Sequence, residues 1–80
     1  MSSASFAAVV KLVASYVGEA KAEGLLERRL AHESITTDQF NLTHLTPTLQ
    51  IKIISAASLY LPDASKEPDL KAKLAAMGAR

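Results

Sequence analysis

The chain has 80 residues, a formal net charge of +1, and neither cysteine nor tryptophan. This length allows one small domain, and the lack of cysteine excludes a disulfide framework and a thiolate metal site. The near-neutral charge gives no basic footprint typical of a nucleic-acid-binding domain. Fourteen alanines favour helices, and a core this small is commonly completed by oligomerisation. We therefore expect an all-α fold, a small bundle of four to five helices completed by homodimerisation.

The first predicted helix covers about residues 5–23, with Ser3 or Ser5 as its N-cap. Apolar and small residues recur through this segment at alternating spacings of four and three, which predicts one broad apolar face. The pattern loses phase at Gly24. We therefore expect a kink there, before a second helix over about residues 25–33, or else a second face that meets a different partner from this point on.

Residues 6–17 are apolar enough to resemble the hydrophobic core of a signal peptide. However, no Lys or Arg precedes the segment and Lys11 interrupts it. Its length also falls short of the ~20 residues that span a bilayer. We therefore expect a core helix, no membrane partner and a cytoplasmic location.

A capping motif predicts the next helix, over about residues 37–45. Thr36 and Gln39 have the S/T-x-x-E/Q spacing, and Ile35 and Phe40 occupy the two positions of a hydrophobic staple.

A further helix is predicted over about residues 47–61, because Pro47 follows the capping residue Thr46. The hexapeptide LQIKII also alternates as a strand would, but the two alanines beyond it favour helix. Gln50 and Lys52 are the only long polar side chains of this segment. Since so short a chain cannot easily enclose a helix on every side, we expect this helix to be buried across an interface.

The last predicted helix covers about residues 66–77. Pro68 is tolerated in a first helical turn, and Leu70, Leu74 and Met77 form an apolar stripe.

No constellation of residues predicts chemistry. His32 and Glu33 begin the H-E-x-x-H zinc motif, but Thr36 stands where the second histidine belongs. No G-x-S-x-G motif and no phosphate-binding glycine loop is present. We expect no enzyme: no catalytic residue, no metal site, no cofactor and no small-molecule substrate.

An acidic stripe runs along the first two predicted helices, where Glu19, Glu23 and Glu27 recur at i,i+4 spacing. Such a stripe is typical of a solvated face, and its alternative is a docking strip for a charged partner.

DNA binding is the alternative function. Residues 25–61 fit a helix-turn-helix whose second helix offers polar side chains to base edges, namely Gln39, Asn41, Thr43 and His44. That helix contains no Lys or Arg and opens with Asp38, whereas phosphate contacts need several basic groups. We therefore do not expect nucleic acid as the main partner.

The surplus of apolar helical faces predicts a protein–protein interaction module of the regulatory adaptor, anti-activator, chaperone or docking type. Its partner is a second copy or another protein. The expected apolar contact residues are Val10, Val13, Val17, Ile51, Ile54 and Tyr60. The expected polar rim consists of Glu23, Glu27, Arg28 and Arg29.

Overall fold

A computed structural model describes residues 3–78 of the chain. This part of the chain folds into four α-helices: α1 (Ala4–Val17), α2 (Glu19–His32), α3 (Pro47–Ala57) and α4 (Glu67–Met77). Each helix packs on the next, and α4 packs back on α1, so the four helices form a closed ring. No strand occurs between residues 3 and 78. The expected all-α bundle is confirmed, and its completion by a second copy stays a prediction.

Gly18 separates α1 from α2. Its φ of 97° and ψ of 148° lie in a region that L side chains rarely adopt, and its N–H donates to the Ala14 carbonyl at 2.9 Å. At the other end of α1, the Ser3 hydroxyl accepts from the Phe6 N–H at 3.0 Å, which confirms Ser3 as the N-cap.

The predicted break at Gly24 is wrong, because α2 runs through Gly24 without interruption. The helix predicted over residues 5–23 ends at Val17, six residues before its predicted end, and Gly18 follows it as the C-cap. Beyond this junction α2 starts a new buried face of its own, formed by Ala22, Leu25, Leu26 and Leu30. The change of phase seen in the sequence is therefore real, but its cause is the chain reversal at Gly18.

The helix predicted over residues 37–45 does not form. The Thr36 hydroxyl accepts from the Gln39 N–H at 3.2 Å, as the capping motif predicts, but the turn stops at once. Phe40 is buried against Phe6 in an edge-to-face pair with ring centroids 6.5 Å apart. A separate 3-10 turn, Leu42–His44, follows.

Side-chain capping explains why this segment leaves the helical path. The Asn41 carboxamide accepts from the Thr43 N–H at 2.9 Å, and His44 Nδ1 accepts from the Asn41 N–H at 3.1 Å. Such local bonds compete with the i→i−4 bonds of an α-helix. They therefore start a new turn in place of extending the first one.

The start of α3 matches its prediction, since Thr46 caps the Leu49 N–H at 3.3 Å and Pro47 takes the first helical position. The helix ends at Ala57, four residues before the predicted end. Beyond it the Ser58 hydroxyl donates to the Ser55 carbonyl at 2.8 Å, and the chain continues as a turn.

Most of α3 is enclosed by the chain itself. Leu49, Ile53, Ile54 and Ala57 are buried, and the helix packs on both α2 and α4. The expectation is that one chain cannot enclose this helix, and for most of its surface this expectation is wrong. Its outward side stays open, and there Ile51 is 58% exposed.

A buried polar contact fixes the end of α4 against the start of α3. The Gln50 carboxamide is buried and donates to the Leu45 carbonyl at 2.9 Å. Gly78 packs against the same two groups, and a Cβ there would lie 2.7 Å from the Leu45 carbonyl oxygen. Only glycine therefore fits at this position without displacing the Gln50 bond.

A polar cluster closes the ring between α1 and α4. The Tyr16 hydroxyl donates to the Asp69 carboxylate, and Lys73 Nζ lies 3.5 Å from that carboxylate and 5.5 Å from the centre of the Tyr16 ring. The hydrogen bond from Tyr16 is the main cause that lowers the pKa of Asp69 below its ordinary value.

We expect Tyr16→Phe to raise the pKa of Asp69, because the variant loses the donor to the ionised carboxylate. With a lowered pKa, Asp69 stabilises the native protein above the ordinary carboxyl pKa, and this contribution is lost as pH falls through the native pKa. A titration of the Asp69 carboxyl carbon by NMR measures the shift. The control is Tyr60→Phe, since Tyr60 uses its ring and not its hydroxyl in its contact with Lys21. An Asp69 pKa that is equal in Tyr16→Phe and the unmodified protein contradicts this prediction.

Candidate partner-binding groove between α2 and α3

A groove of about 520 Å³ runs between α2 and α3. One side is a single stripe of α2, where Lys21, Gly24, Leu25, Arg28 and Arg29 follow helical spacing. The other side comes from α3 and the turn after it, with the lining residues Ile51, Lys52, Ser55, Ala56, Leu59 and Tyr60.

Two contacts define the ends of the groove. At one end Lys21 Nζ lies 5.1 Å from the centre of the Tyr60 ring, a cation–π geometry. At the other end Lys52 Nζ lies 2.9 Å from the Glu33 carboxylate. Lys21, near the start of α2, meets Tyr60 beyond the end of α3, whereas Glu33, just after α2, meets Lys52 in the middle of α3. The two helices therefore run antiparallel.

Small residues keep the groove open along its middle. Gly24, Ser55 and Ala56 line it, and nothing lies within 4 Å of where a Gly24 Cβ would be. The side chain of Leu25 is buried beneath them. Two neighbouring helices therefore present a concave strip with an apolar base.

The rim of the groove holds most of the exposed large apolar surface. The exposed fractions are 58% for Ile51, 79% for Leu59 and 39% for Tyr60. Leu42 is the only other large apolar residue among residues 3–78 that is classed as exposed. The apolar surplus of this protein is thus concentrated at one place.

Four cationic side chains, Lys21, Arg28, Arg29 and Lys52, also line the groove. The Lys52 ammonium is compensated by Glu33, and the hydrogen bond from Lys52 lowers the pKa of Glu33 below its ordinary value. Arg28 makes no ion pair with any residue between 3 and 78. The groove therefore combines an apolar base with an excess of positive charge.

Four of the ten residues expected to contact a partner meet at this groove: Ile51, Tyr60, Arg28 and Arg29. Three others, Val10, Val13 and Ile54, are buried in the monomer core, so they are not available to a partner while the fold is intact. Their assignment to an interface followed from treating the core as incomplete, whereas α1, α3 and their neighbours complete it within one chain.

The remaining three lie elsewhere. Val17 is half-buried and packs against the core. Glu23 and Glu27 are exposed on the opposite flank of α2 and line two separate surface depressions, one against α1 and one against the loop after α2. They do not share a surface with the arginines of the predicted rim.

Sequence reasoning missed Lys21, Lys52 and Leu59 as groove residues. A signal for Leu59 exists, because it follows Ile51 by eight residues and Ser55 by four, the spacing of one helical stripe. No comparable signal identifies α3 as the neighbour of the Lys21 stripe, because that requires the antiparallel pairing of α2 and α3.

The helix-turn-helix on which the DNA-binding alternative depends is not formed. Its second helix is predicted over residues 37–45, where the structure has no α-helix, and two of the proposed base-reading side chains, Asn41 and His44, cap a 3-10 turn there. Within residues 3–78, no group of three or more histidine or carboxylate side chains could hold a metal ion. None of the helices described is long and apolar enough to cross a membrane.

The α2–α3 groove is thus the surface where the described residues bring together exposed apolar side chains, small residues and uncompensated charge. Helix-in-groove recognition uses the same combination of a concave apolar strip and a polar rim. No protein-family model, curated protein or solved structure matches this chain.

Proposed function

We propose that this protein is a non-enzymatic interaction module that binds a helical segment of another protein in the α2–α3 groove. One observation carries the proposal: three of the four exposed large apolar residues among residues 3–78 lie together on the rim of that groove. Single exposed apolar residues are normal on protein surfaces, but a contiguous group beside a concave strip is typical of a binding site.

The shape of the groove favours a helix as its occupant. From Ile51 to the end of α3 at Ala57, the groove covers six residue steps, or about 9 Å at 1.5 Å per residue, and Leu59 and Tyr60 extend it beyond the helix. This length accommodates about two turns of an occupant helix. Apolar residues at i, i+3 or i+4, and i+7 of that helix would contact the groove.

Truncation of Leu59 tests the proposal, and Leu42 provides a control of the same residue type outside the groove. Peptides that bind the full chain are selected from a displayed library of random 16-residue segments, and their affinities are measured by fluorescence anisotropy. We expect Leu59→Ala to weaken binding about tenfold, which corresponds to about 1.4 kcal/mol, and Leu42→Ala to leave it within about twofold. Equal losses in both variants, or no selected peptide at all, would overturn the proposed function.

A further inference from the structure

We propose that the segment bound in the α2–α3 groove is an acidic amphipathic helix of a partner protein. Its apolar residues contact Ile51 and Leu59, and its carboxylates pair with Lys21, Arg28 and Arg29. This inference rests on the proposed function and specifies the chemistry of the partner.

The two flanks of α2 carry opposite charges. Lys21, Arg28 and Arg29 line the groove, with spacings of seven and eight residues that place them on one stripe. Glu19 and Glu23 line the depression between α2 and α1 on the other flank. A net charge of only +1 therefore conceals a local positive field at the groove.

This positive charge is only partly compensated within residues 3–78. Lys52 is paired with Glu33, whereas Lys21 and Arg28 make no ion pair with any residue in this range. Aligned cations at the rim of an apolar groove attract a segment with matching carboxylates and disfavour one with basic residues.

Arg29 adds an unsatisfied donor. Its Nε is buried and has no hydrogen-bond partner among the described residues, although the residue as a whole is half-buried at the groove. A buried donor without an acceptor is costly, and a carboxylate of the occupant that accepts from the guanidinium would offset this cost. An acidic occupant therefore removes a cost that the free protein carries.

The apolar rim distinguishes this occupant from other anionic partners. A nucleic-acid duplex offers phosphates to the cations but little apolar surface to Ile51 and Leu59, which are 58% and 79% exposed. A lipid surface is flat, whereas this site is a strip recessed between two helices. An amphipathic helix supplies both kinds of contact to a concave strip.

The experiment selects peptides from the same displayed library on the full chain and compares two variants with equal changes of charge. Arg28→Glu alters the groove, and Lys11→Glu alters an exposed residue of α1 outside it. We expect the selected peptides to carry Asp or Glu beside apolar residues at helical spacing. Synthetic peptides with the selected sequences should bind the Arg28→Glu variant at least about tenfold more weakly than they bind the unmodified protein. Their affinity for the Lys11→Glu variant should stay within about twofold of that for the unmodified protein. Raising the salt from about 50 to about 300 mM should weaken binding to the unmodified protein.

The outcomes separate the two proposals. Peptides that bind in a Leu59-dependent manner but carry no excess of acidic residues overturn the acidic partner and leave the interaction module intact. The absence of any Leu59-dependent peptide overturns both. Arg28-dependent binding of duplex DNA or of phosphatidylserine vesicles, without selection of acidic peptides, identifies another occupant and overturns the inference. The inference is also overturned if the protein self-associates and if Arg28→Glu and Glu23→Lys each abolish this self-association, because the occupant of the groove is then a second copy.

Discussion

Ile53→Ala should lower the free energy of unfolding by about 2–5 kcal/mol, because Ile53 is fully buried in α3 and its truncation leaves a cavity. Ile51, two residues away in the same helix, is 58% exposed, so Ile51→Ala should change the stability by no more than about 0.5 kcal/mol. Urea denaturation followed by circular dichroism measures both values.

A loss of 2–5 kcal/mol is a large part of the ~5–15 kcal/mol that stabilises a typical domain, so Ile53→Val serves as a milder variant. We expect it to cost about 0.5–1.5 kcal/mol and to remain folded. Equal losses of stability in Ile53→Ala and Ile51→Ala would show that α3 does not bury its Ile53 side and expose its Ile51 side. The groove beside Ile51 would then have no basis.

The second large effect is expected at the junction of α1 and α2. Gly18→Ala should destabilise the protein by about 1–3 kcal/mol, because the backbone at φ 97° and ψ 148° is accessible almost only to glycine. Nothing lies within 4 Å of a Cβ at this position, so the cost arises from the backbone and not from a steric clash with a neighbour.

Gly24 is the matched control for Gly18. It lies inside α2, where a Cβ also meets nothing within 4 Å. Gly24→Ala should therefore stabilise the protein by about 0.5–1 kcal/mol, since alanine is the better helix former. Thermal and urea unfolding of the two variants should show shifts of opposite sign. A stabilising Gly18→Ala together with a destabilising Gly24→Ala would support the helix break that the sequence pattern predicts at Gly24.

Local signals in the sequence predict two helix starts correctly and helix lengths poorly, and the capping motif at Thr36 produces only a single turn. Ser3 and Thr46 cap their helices as predicted, because capping depends on residues within one turn. The sequence does not predict a helix end at Gly18, because Gly18 lies on the polar side of an apolar pattern that continues past it. A positive φ there depends on how α1 and α2 pack, which no local pattern contains.

The candidate site follows the same rule. The sequence predicts Ile51 and Tyr60 as apolar contact residues and Arg28 and Arg29 as part of a polar rim, and the structure brings these four residues to one groove. Val13 and Ile54 are apolar like Ile51, but the ring of four helices buries them. Their placement depends on which helix faces which, and that arrangement results from contacts between residues distant in sequence, such as Tyr16 with Asp69.

The two limits of the described chain have a consequence for the connection between α2 and α3. The Ser3 N–H donates to the Thr37 carbonyl at 2.9 Å, and the buried Gly78 packs against the Leu45 carbonyl and the Gln50 carboxamide. Both limits therefore contact the segment that joins α2 to α3 or the start of α3 itself. Truncation from either limit removes a contact that holds this connection in place.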